Sequence, residues 1–317
     1  IDFLVMGMQC LLNKKTKIKP KLIIERIDMK YKIIFLILTS VFSHSAISDI
    51  KKDAELVFKI VLKKAPTSRP QTVAYIPAEK KYYIADGGLA PMGSAYEAPI
   101  SKSLIHTYDE QGQYLDSTKP GFDNRSIYFN EKTSQLETVT YNVSSQAGFA
   151  PMTGIFSLEL NDKGMLTGKS DVISNFAPAF GSASTMPTFD HQENVYYAKQ
   201  ERGNKVFVVD AKNYQLTKTI ELDFKTPDVE HHDVAASFIA YTGIKGHEFI
   251  LLDVDHKRFL IYDIAGKYIG FSKLASDLKI RSKNHFNGLG YTNNGYYFLY
   301  IDSENEHGTY HAYKVIN

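Results

Sequence analysis

At 230–233 the chain reads Glu230, His231, His232, Asp233, four consecutive side chains that can ligate a metal or move a proton. Imidazole nitrogen suits Zn²⁺ or a general base, whereas Ca²⁺ asks for about six oxygens. Glu230 and Asp233 would supply carboxylate oxygens, and a mixed site is chemically possible, so Ca or Zn are the cofactors these residue types admit. Adjacent side chains converge on one ion only where the backbone turns. Otherwise the carboxylates satisfy loop amides and the histidines meet solvent. A second polar stretch, SKNHFNGLG, adds His285 and Asn287. Which chemistry results depends on the elements that carry these stretches.

Other chemistries lack their motifs. No GxSxG elbow for a serine hydrolase is present, and no P-loop or GxGxxG for a nucleotide. The loop GGLAPMG is followed by no strand-to-helix transition, so it is not a phosphate cradle. The single cysteine, Cys10, precedes a segment MKYKIIFLILTSVFSHSAIS with a basic start, an apolar run and small residues after it, the pattern of a secretory signal peptide. Residues 1–28 therefore read as an upstream extension, 29–48 as a signal peptide, and 53–317 as one domain. The expected location is periplasmic or secreted. The mature chain would have no disulfide, no lipoprotein cysteine and no transmembrane segment. The formal charge is +2, but residues 1–46 hold 8 of the 37 Lys/Arg and 3 of the 35 Asp/Glu, leaving 29 against 32, a net −3. That balance argues against a nucleic-acid partner held through phosphates.

Beyond residue 50 short runs of Tyr, Phe, Val, Ile and Thr are broken by Gly, Asn, Asp and Pro, which reads as all-β. One unit recurs: YDEQGQYLDS, LNDKGMLTGKS, VDAKNYQLTKT and YDIAGKYIGFSK each place Asp, Asn or Gly in a tight turn between strands. A second hairpin precedes each, as in VAYIPAEKKYYIAD and PTFDHQENVYYAKQ. A fifth copy, NGLGYTNNGYYFLYID, is followed by one last strand, one short of a full unit. The strand ELVFKIVLK at 55–63 can supply it. Four-stranded units of about 50 residues predict a β-propeller of five blades, six remaining open, with the N-terminal strand completing the last blade and closing the ring.

The units NGLGYTNNGYYFLYID and YIPAEKKYYIADGG resemble the strand pair of the NHL and gluconolactonase (senescence-marker protein)-like propellers. The resemblance implies a radial fold with a central channel, in families that range from metal-dependent lactonases to non-catalytic scaffolds. It also implies that oxygens at the starts of inner strands hold a metal. Asn287 matches one such position and Asp233 a second, but the first-blade Glu of that pattern is missing, since TSRPQTVAY stands there. Asp123, Asn124 and Arg125 in blade two are no clear substitute.

In a propeller blade, the connections between second and third strands and between blades share one rim. The longer connections, 87–102, 143–153, 174–186, 225–233 and 277–287, all fall there, and loops on a rigid scaffold commonly carry function. Several contain Ala-Pro with Met or Phe, which nominates Met92, Tyr96, Met152 and Phe176, with His231, His232 and His285, as ligand contacts. Three histidines near one channel could also form a pH-sensitive latch. The leading expectation is a monomeric, exported, non-catalytic propeller binding a protein, peptide or small molecule on that rim. The alternative is a metal-dependent lactonase or esterase, with Glu230, Asp233 and Asn287 at the ion.

Overall fold

The computed structural model describes residues 49–317 except 65–69, 87–102, 121–123, 141–153, 176–179, 182–184 and 282–287. The described residues form strands and turns without a helix, and no helix among them is long and apolar enough to cross a membrane. The first strand, β1, spans Ile50–Val61. It is followed by a sheet of β2 (Pro70–Ile76), β3 (Lys81–Asp86), β4 (Leu104–Asp109) and β5 (Tyr114–Thr118), paired in chain order. The next holds β6 (Asn124–Asn130), β7 (Gln135–Thr140), β8 (Gly154–Leu160) and β9 (Leu166–Asn175). The third holds β10 (Thr188–Asp190), β11 (Val195–Lys199), β12 (Lys205–Asp210) and β13 (Leu216–Glu221).

The remaining strands share one eight-stranded sheet. Its first part is β14 (Ala240–Tyr241), β15 (Phe249–Asp253), β16 (Arg258–Tyr262) and β17 (Tyr268–Lys273). Its second is β18 (Gly290–Tyr291), β19 (Tyr297–Ile301) and β20 (Thr309–Ile316). β1 lies between them, antiparallel to β20 from Ile50↔Ile316 to Val61↔Thr309, and meets β17 in a single parallel register pair, Asp53↔Lys273. An all-β chain of antiparallel four-stranded units is consistent with a β-propeller.

The turns form for the reasons their residues suggest. Asp109 Oδ1 accepts the N–H groups of Gln111 and Gln113, Asn161 Oδ1 those of Lys163 and Met165, and Asp263 Oδ1 those of Ala265 and Lys267. In each of these turns a glycine takes the positive φ that closes it, Gly112, Gly164 and Gly266. In the third sheet Tyr214 takes that conformation instead (φ 59°), with Asp210 Oδ1 accepting from Lys212 and Asn213.

The first strands of the units pair on one side only and approach one another. β2 touches β6, β6 touches β10, β10 touches β14, β14 touches β18, and β18 touches β2. Specific bonds join several of them. Thr72 Oγ1 donates to the Ile127 carbonyl (3.2 Å) and accepts the Ile127 N–H (2.6 Å), Ser126 Oγ donates to the Pro187 carbonyl, and Met186 N–H donates to the Ser237 carbonyl. Between β18 and β2 the backbones come so close that a Cβ on Gly290 would stand 2.7 Å from the Val73 nitrogen. Only glycine fits there without a shift. Between the sheets, fully buried rings such as Tyr82, Tyr108, Tyr262 and Tyr297 fill the core, each worth about 1.5–3 kcal/mol of apolar burial.

Candidate functional site

The Glu230–Asp233 segment lies in the connection from β13 to β14 and forms a turn. Asp233 N–H donates to the Glu230 carbonyl (3.0 Å), and Asp233 Oδ2 accepts the Glu230 N–H (2.7 Å). That donated N–H holds the Asp233 carboxyl below the usual carboxylate range. The Asp233 carbonyl in turn accepts Val254 and Asp255 N–H, which ties the turn to the end of β15. Asp233 is thus a loop staple. The other three side chains are exposed, and their donor atoms lie within 4.8 Å of one another. The His231 and His232 rings stand 5.4 Å apart and nearly perpendicular, and His232 Nε2 is 3.7 Å from Asp233 Oδ1.

A buried framework carries this turn. Asp253, with no exposed surface, accepts from the His256 backbone and ring and from Arg258 Nε (2.7 Å), while Arg258 Nη2 donates to the Pro227 carbonyl. Lys199, equally buried, donates to the carbonyls of Gln200, Gly203 and Ala236. Burial pushes its amine down to about 8. Glu230 and His231 border an open cleft that also touches Asn204 and Phe224.

The other nominated residues, Met92, Tyr96, Met152, Phe176, His285 and Asn287, lie outside the described residues, as does Asp123. Asn124 is described and is structural. It is buried, accepts from Thr138 Oγ1 and donates to Ser103 Oγ.

A different set of residues lines a cavity of about 120 Å³ among the first strands of all the units, and none of Glu230 to Asp233 is among them. Seven aromatic residues line it, Tyr128, Phe238 and a collar of one from each unit, Tyr75, Phe129, Phe189, Tyr241 and Tyr291. The collar residues occupy one register position, two residues ahead of Pro77, Glu131, His191, Gly243 and Asn293, where each first hairpin begins to turn. Four of those five turn residues also line the cavity, at the end of the first strands nearest the hairpin turns. Behind the collar, Tyr75 packs on Tyr82 (4.7 Å), Phe189 on Tyr196 (4.9 Å) and Tyr241 on Tyr197 (4.9 Å), which limits ring motion. Burial pushes the Tyr291 hydroxyl up to about 12.

At the mouth, Glu131 Oε1 accepts from Asn293 Nδ2 (2.8 Å), and Glu131 Oε2 lies 3.2 Å from His191 Nε2. The Glu131 side chain remains 40% exposed, so its carboxylate is reachable from solvent. Among the described lining residues Glu131 is the one carboxylate, and none is Lys or Arg. The hydroxyls of Thr72 and Ser126 in the wall are committed to the inter-strand bonds above. Sequence reasoning passed over this collar because each ring reads as an ordinary strand residue. Alignment of the five hairpins on their turns was the signal that could have found it.

A Ser–His–Asp sequence of contacts also occurs across the first sheet: His106 Nδ1 is 2.8 Å from Ser117 Oγ, and its Nε2 is 3.7 Å from Asp86 Oδ2. His106 and Asp86 are both buried, and His106 pairs with Ser117 in the β4–β5 register. The arrangement pins neighbouring strands, and the half-buried Ser117 hydroxyl is also within hydrogen-bond distance of Tyr114.

No protein-family model and no curated protein sequence matches the chain. Solved structures with a similar fold include the glutaminyl cyclase of Myxococcus xanthus, with a TM-score of 0.48 and 8% identity over 84% of this chain and 99% of that one. They also include the periplasmic gluconolactonase PpgL of Pseudomonas aeruginosa, at 0.36 and 10% identity over 66% of this chain and 58% of that one. A chain of a nidogen/laminin complex matches at 0.40 and 12% identity over 68% of this chain and 66% of that one. Each is a likeness of fold.

Proposed function

We propose that the chain is an exported five-bladed β-propeller, closed by β1 as the outer strand of the last blade, that binds a small ligand in its axial cavity without transforming it. The signal-like segment at 29–48 supports export. The β1–β20 pairing and the sequence of contacts from β2 through β18 and back to β2 support five blades and closure. The observation that carries the binding reading is the aromatic lining: each unit contributes an aromatic residue at one register position to one cavity, and Tyr128 and Phe238 add two more. Concave apolar sites with a few polar groups are where small molecules bind. A fragment screen by saturation-transfer NMR tests it. Hits lost on Phe129→Ala and kept on His231→Ala are expected. An empty screen, or hits that depend only on His231, would overturn it.

A second reading, a metal-dependent lactonase or esterase, is favoured by the 4.8 Å convergence of Glu230, His231 and His232. Two imidazoles and a carboxylate leave coordination positions for a water whose proton a bound Zn²⁺ would release more easily. Calorimetric titration with ZnCl₂ decides it. One-site uptake lost in His231→Ala keeps the hydrolase in play, and no uptake removes it.

A further inference from the structure

We infer that the axial collar selects a small organic cation, a primary or quaternary ammonium, with Glu131 as its counter-charge. The inference rests on the axial-binding reading and adds the chemical class of the ligand. Aromatic rings carry negative electrostatic potential on their faces and attract a cation, most strongly where water is excluded. Seven aromatic residues line this cavity of about 120 Å³, the five of the collar together with Tyr128 and Phe238, and three of the collar rings are backed by further rings.

The first strands pair on one side only, and an unpaired edge carries N–H donors as well as carbonyl acceptors, so the selection falls to the charged side chain at the cavity. Glu131 adds a full negative charge at the mouth, and no Lys or Arg among the described lining residues opposes it. An anionic ligand would meet that carboxylate without a cationic partner. A neutral one would gain at most a hydrogen bond from it, without the charge–charge attraction. Asn293 fixes one carboxylate oxygen through its Nδ2, and His191 stands beside the other, so the charge is held at the opening and not left on a free side chain.

Tetramethylammonium chloride is the probe, and tert-butyl alcohol its neutral counterpart of similar shape. Titration of the full protein at about pH 8, with sodium chloride matching the ionic strength, is followed through the backbone amide signals of Gly243 and Gly290, which line the cavity. The expected result is that the ammonium binds about tenfold more tightly than the alcohol. Glu131→Gln, at an exposed position, should remove that preference, and the exchanged pair Glu131→Gln with Asn293→Asp should restore it. Equal binding of both probes, unchanged by Glu131→Gln, would overturn the cation assignment and leave axial binding standing. No response to either probe would overturn both.

Discussion

The axial cavity and the Glu230–Asp233 turn use similar residues differently. At the cavity a carboxylate, an imidazole and an amide come from three separate units, Glu131, His191 and Asn293, beside a lining rich in aromatic residues. On the turn the donors come from consecutive residues, all exposed, and the neighbouring carboxylate, Asp233, has one oxygen bound to the Glu230 amide. The first arrangement depends on the whole chain being assembled. The second depends on a local turn whose connection is tied by Arg258 at Pro227 and by Lys199 at Ala236, with Asp253 holding Arg258. Residues of equal chemical promise therefore differ in what would disable them, and variants can separate the two.

The largest effect is expected at Asp253, fully buried and bound to both Arg258 and His256. Asp253→Ala leaves a largely buried guanidinium without its partner and releases the tie to Pro227, at a cost of about 3 kcal/mol. Urea denaturation measures the loss, and new tryptic cleavage at Lys225 would show that the loop has come free. A change below about 1 kcal/mol would mean the turn does not rest on this framework. Thr72→Val should cost slightly less, about 2 kcal/mol, because both backbone groups of Ile127 lose their buried partner. Unlike Asp253→Ala, it should weaken binding at the axis and leave any zinc uptake at the turn unchanged.

Much of the frame was legible in the sequence. Asp109, Asn161, Asp210 and Asp263 close the turns their repeats suggested, and β1 pairs with β20 as a strand missing from the last unit would. The candidate sites were less legible. The donors of 230–233 could be named, but the fate of Asp233 depends on one backbone hydrogen bond that composition does not encode. Lys199 ends the strand VYYAK and reads as a surface residue, whereas three carbonyls from two connections enclose it. The collar escaped notice because its meaning is collective. Each ring alone is explained by strand packing, and only the cavity unites them.

Lys199 yields a smaller effect that depends on pH. Its amine is lowered from 10.5 to about 8 in the folded protein. Between those values the unfolded chain binds more protons than the folded one, so this residue makes stability rise with pH, the penalty of the buried charge being fully present below pH 8. From pH 7 to about pH 9.5, the wild type should gain about 2 kcal/mol relative to Lys199→Met. The comparison with the variant cancels the ionisation of the many tyrosines. A difference constant with pH would mean that the amine titrates as if in water, and that the carbonyls of Gln200, Gly203 and Ala236 do not enclose it.

The smallest effect tests the turn itself. His231→Ala and His232→Ala remove exposed rings whose contacts are with each other and, for His232, with Asp233 at 3.7 Å. Neither should change stability in metal-free buffer by more than about 0.5 kcal/mol, because no buried group loses a partner. If the cluster holds zinc, the wild type should melt higher with ZnCl₂ present, since an ion that binds only the folded state stabilises it by mass action. Each variant should lose most of that increment. A wild-type melting temperature indifferent to zinc would make Glu230 to Asp233 a capped polar turn. A zinc increment that survives both substitutions would place the metal elsewhere in the chain. An increment lost in both variants should also be lost in Asp253→Ala, because loosening the turn disperses the donors it holds together.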